Sequence, residues 1–147
     1  MSGCVLVTDA AFAHRMHRLL TVSNTLLHGT FYKHTSKLVR LVCSSCFNLN
    51  STFVQAVATM NTPNHFEELV ADFTELSVSD LFALSLHLPH LRVLSVSVTK
   101  ADGTVLRSAV TNCPYLQFLI AENCKAVTQV TKDELQRLCK KRLVFLC

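Results

Sequence analysis

The chain has no tryptophan, only three glycines and three prolines, and charged residues fill just 16% of its 147 positions. Phosphate-cradling loops need closely spaced glycines, and none of their patterns occurs here. G-x-S-x-G and H-E-x-x-H are missing as well. Paired acids occur at Glu67-Glu68, and neighbours on a strand point to opposite sides, a poor arrangement for acid–base work. The expectation is a protein that is not an enzyme, with no cofactor and no metal. No apolar run reaches the roughly 18 residues that suggest a membrane span. Asp9 interrupts the apolar stretch from Cys4 to Ala13, which argues against a secretory signal. Acids are scarce at one end: residues 1–66 hold Asp9 alone, against Arg15, Arg18, Lys33, Lys37 and Arg40, and a second basic cluster is Lys140-Lys141-Arg142.

Half of the residues are apolar, so a packed core and a single domain are expected rather than disorder. Five segments open alike: Leu38-Val-Arg-Leu41, Phe66-Glu-Glu-Leu69, Leu91-Arg-Val-Leu94, Leu116-Gln-Phe-Leu119 and Leu143-Val-Phe-Leu146. Their starts lie 28, 25, 25 and 27 residues apart. Counted from the first anchor, the sixth place reads Cys43, Ala71, Val96, Ala121, and the ninth reads Cys46, Thr74, Thr99, Cys124. Anchors at places one, four and six alternate as a short strand does, with four and six facing inward.

A helical stripe follows each strand. The stripes are Leu49, Phe53, Val57, Met60; Leu76, Leu81, Leu84, Leu88; Val105, Leu106, Ala109, Val110, Cys113; and Val130, Leu135, Leu138, Cys139. Thr131-x-x-Glu134 and Ser77-x-x-Asp80 read as capping boxes, and Asp102 as a cap for the third helix. Leu88-Pro89-His90-Leu91 and Cys113-Pro114-Tyr115-Leu116 place proline two residues ahead of the next anchor, where it ends a helix. The first 37 residues read as a degenerate repeat or capping unit. They hold a strand over Val5-Leu6-Val7 and a helix from near Asp9 that carries Phe12, Met16, Leu19 and Leu20.

A recurrence of about 20–29 residues opening with L-x-x-L marks a leucine-rich repeat. The quoted residues resemble the cysteine-containing repeats of F-box leucine-rich repeat proteins, L-x-x-L-x-L-x-x-C with a C-P-x-L exit. Leu116 to Cys124 and Cys113 to Leu116 fit best, and the resemblance covers 38–147. It implies an α/β fold, a short leucine-rich-repeat solenoid with parallel strands on the concave face and helices on the convex face. The domains are then 1–37 and a repeat array over 38–147, four full units plus a terminal strand. The F-box that gives the family its name is absent: residues 1–37 lack its leucine-proline opening and its tryptophan. Only the recognition half of that family's role carries over.

Chemistry-bearing residues have simpler explanations. Cys43-Ser-Ser-Cys46 lacks the second pair that a structural zinc site uses, and both thiols fall at repeat-core places. An odd total of seven cysteines with no export signal fits a reducing compartment. His14 and His17 sit one helical turn apart without a carboxylate, as on a solvated basic face.

The concave face carries the functional expectation. Place two reads Val39, Glu67, Arg92, Gln117, Val144, and place three reads Arg40, Glu68, Val93, Phe118, Phe145. Place five reads Val42, Val70, Ser95, Ile120, and place seven reads Ser44, Asp72, Ser97, Glu122. Val93, Phe118, Ile120 and Phe145 form an apolar patch for a protein partner, with Arg92, Glu68, Asp72 and Glu122 setting register. Glu67 and Arg92 share a column and are placed to pair. A terminal strand without a following cap also offers an edge for pairing. The expected function is a non-catalytic interaction module, a subunit or assembly factor of a larger complex. It is expected to be intracellular, cytoplasmic before mitochondrial. Two alternatives stand beside it. One is the substrate-recognition part of a ubiquitin-ligase receptor lacking its F-box. The other is an RNA-associated or mitochondrial ribonucleoprotein subunit using the basic N-terminus.

Overall fold

A computed structural model of the chain describes residues 19–21, 39–45, 49, 51–58, 66–139 and 143–147. Six three-residue strands form one sheet in chain order: β1 (Leu19–Thr21), β2 (Arg40–Val42), β3 (Glu68–Val70), β4 (Val93–Ser95), β5 (Phe118–Ile120) and β6 (Val144–Leu146). Every neighbouring pair is parallel. Four helices are described between strands: α1 (Ser51–Ala58), α2 (Val78–His87), α3 (Gly103–Asn112) and α4 (Gln129–Cys139). The fold is α/β, and each helix packs against the next in chain order.

The strand registers follow from the anchors. Leu41, Leu69, Leu94 and Leu119 are mutual partners along the sheet and at most 4% exposed, so the fourth place forms one interior row. Cys43, Ala71, Val96 and Ala121 form a second row, each fully buried. Small residues there leave room for the helix layer. Leu81, Leu84, Val105, Leu106, Ala109 and Leu135 fill that space from α2, α3 and α4.

Hydrogen bonding continues past the strands. The Cys43, Ala71 and Val96 amides donate to the carbonyls of Val70, Ser95 and Ile120, each at 2.8 Å. Two residues on, the Ser45, Phe73 and Val98 amides donate to Asp72, Ser97 and Glu122 carbonyls at 2.8, 2.9 and 2.9 Å. To reach that second row the backbone turns left-handed at the eighth place of the four units over 38–142: φ is 61° at Ser45, 56° at Phe73, 55° at Val98 and 56° at Asn123. Asn tolerates this region, whereas a β-branched Val and a bulky Phe are strained in it. The ladder bonds hold them there.

The ninth place explains how Thr and Cys interchange. Thr74 Oγ1 donates to the Ala71 carbonyl at 2.8 Å, and Thr99 Oγ1 to the Val96 carbonyl at 2.6 Å. Cys124 Sγ donates to the same Val96 carbonyl at 3.2 Å. The place holds a short donor, buried at Thr74 and Cys124 and half-buried at Thr99. Cys113, at the C-P exit, donates to the Leu88 carbonyl at 3.4 Å and so ties down the end of α2. Burial pushes its thiol up from 9.0 to about 11, which makes it an inert packing group.

Caps set the helix starts. Ser77 Oγ accepts from the Asp80 amide at 3.1 Å and the Asp80 carboxylate accepts from the Ser77 amide at 3.2 Å, a closed capping box. Asp102 Oδ1 accepts from the amides of Thr104 and Val105 at 2.9 and 3.0 Å. The box expected at Thr131-x-x-Glu134 does not form. Thr128 takes that role, its Oγ1 accepting from the Thr131 amide at 3.3 Å, so α4 begins earlier. Thr131 is instead buried against Gly103, where an added Cβ would lie 2.9 Å from Thr131 Cγ2. The earlier start turns Thr131, Leu135 and Cys139 inward and leaves Val130 and Leu138 exposed, contrary to the expected stripe.

The N-terminal expectation needs another correction. Leu19–Thr21 is not helical; it is a strand that pairs with β2 and adds a rung to the sheet. The rest of that unit, Val5–Val7, Asp9, Phe12 and Met16, lies outside the described residues, as do His14, His17, Cys46, Met60 and Lys140–Arg142. The Phe53 side chain is also outside them.

Candidate functional site

The sheet face turned away from the helices divides into two parts. Around β2, β3 and the residues just before β3 and β4 it carries ion pairs, beside half-buried Val42 and Val70. Arg40 Nε lies 2.8 Å from Glu68 Oε1, joining β2 to β3. Arg92 Nε lies 3.4 Å from Glu67 Oε2, joining the residue just before β4 to the one just before β3. The second pair is the one expected from the column of place two. The first comes from place three, where Arg40 and Glu68 are direct strand partners. Each Glu thus turns to a different neighbour. Such part-exposed pairs are worth about 0–1 kcal/mol each, so their main effect is to neutralise this half.

Asp72 is also satisfied from within. Its Oδ1 accepts from Ser95 Oγ and from the Ser97 amide, both at 2.7 Å. Ser97 Oγ then accepts from the Glu122 amide at 3.1 Å. Place seven is therefore a polar seam running across the strand ends. Ser95 and Ser97 are buried in it. Asp72, one of the acids expected to face a partner, is thus also an internal brace.

Over β5 and β6 the same face is apolar. Phe118 is 42% exposed, and its strand partner Val144 is 47% exposed. Ile120 is half-buried and pairs with Leu146, 43% exposed. Val93, half-buried, precedes Phe118 in the same row. Expected residues Val93, Phe118 and Ile120 are thus brought together as neighbours.

Phe145 is not with them. Aligning the fifth L-x-x-L on the others predicts Leu146 beside Leu119 and Phe145 on the open face. The structure shifts this strand by one residue: Phe145 pairs with Leu119, packs against the core and leaves Val144 and Leu146 outside. The Ala121 amide accordingly donates to the Leu146 carbonyl at 2.8 Å. A one-residue slip exchanges the two faces of a strand. Here it places the larger aromatic ring inside. The apolar patch survives with Val144 and Leu146 in place of Phe145.

Two further exposed groups lie off this face. Phe73 and Val98, the strained eighth-place residues, are 52% and 41% exposed. His90 and Tyr115, each just ahead of an anchor leucine, stack with ring centroids 5.3 Å apart and planes 13° from parallel. The proline loops that carry them are aligned by the strand registers.

Among the described residues no group of three or more His, Cys, Asp and Glu is arranged to hold a metal ion, and no helix is long and apolar enough to cross a membrane. No family model, no curated protein and no solved structure matches the chain.

Proposed function

We propose that the chain is a leucine-rich-repeat solenoid acting as a non-catalytic interaction module, which holds a protein partner on its open strand face. The leucine row, the left-handed eighth place and the buried donor at the ninth support the repeat reading. One observation carries the functional reading: Phe118, Val144 and Leu146 are each more than 40% exposed on hydrogen-bonded strands beside Ile120 and Val93. Adjacent apolar side chains held outward by a sheet support this reading, because exposed apolar patches often mark binding sites and aromatic anchors contribute heavily to binding energy. Arg40 and Arg92, the arginines of this face, are already paired with Glu68 and Glu67, which favours a protein partner over a nucleic-acid backbone.

The test is Phe118→Asp in the full chain. Capture of the partner is expected to be lost while the thermal melt stays unchanged. Retained capture with an unchanged melt contradicts the assignment of this face.

A further inference from the structure

We draw no further inference here: the strongest candidate, the exposed apolar patch of Phe118, Val144 and Leu146 at the β5–β6 end of the open sheet face, belongs to the surface already described, and nothing in the structure shows what covers it.

Discussion

The two halves of the open face share one backbone and differ in how their side chains are satisfied. From β2 to β4, arginines and glutamates on successive strands neutralise each other. From β5 to β6 the equivalent places hold the exposed Phe118, Val144 and Leu146 and the half-buried Ile120. The interior row beneath is continuous across both. Leucine occupies it from β2 to β5 and Phe145 extends it to β6. Stability is therefore a property of the whole array, whereas the proposed binding surface is concentrated at one end of it.

That separation is sharpest in a pair of adjacent residues. Leu119→Ala, in the fully buried row, is expected to cost about 2–5 kcal/mol in denaturant unfolding. Phe118→Ala, one residue away on the open face, is expected to shift stability by less than about 1 kcal/mol. Equal losses at the two positions would erase the distinction between the faces.

The buried thiol at the junction between α3 and β5 supplies a pH test. Burial raises Cys113 from 9.0 to about 11, so the unfolded chain ionises first. Its contribution is full below pH 9.0 and fades as pH rises through about 11. The parent chain should lose more stability over that interval than Cys113→Ala does. In the native state exposed Cys147 should react with iodoacetamide and Cys113 should not.

Smaller effects compare repeat with repeat. Val98→Asn and Phe73→Asn relieve a left-handed conformation and are expected to raise stability by up to about 1 kcal/mol. Asn123→Val is expected to lower it by a similar amount, and thermal melts of the three variants measure the set. The smallest expected effect lies in the ionic half. Double-mutant cycles for Arg40–Glu68 and Glu67–Arg92 should each return at most about 1 kcal/mol, decreasing with added salt.

The L-x-x-L recurrence made the interior row legible, because a buried leucine at a fixed place has no good substitute. Three features were hidden by ambiguity. At the last strand, Leu143, Val144, Phe145 and Leu146 are all apolar, so the alternation could not choose which face went inside. At α4, Thr128 and Thr131 are equally able caps. In β1, Leu19 and Leu20 fitted a helical stripe as well as a strand. The left-handed eighth place was hidden for a different reason: Phe73 and Val98 are poor residues for it, and only the ladder to the next repeat reveals why the backbone goes there. Within the site, Val93, Phe118 and Ile120 were readable from their column. Val144 and Leu146 were not, and the bracing by Asp72 required the hydrogen bonds.

The most direct measurement is hydrogen exchange of the full chain, alone and with its captured partner. Slower exchange is expected at the amides of residues 117–120 and 144–146, with residues 40–42 and 68–70 unchanged. Protection confined to β2 and β3, or none at either end, would contradict the division of the open face into a braced half and a binding half.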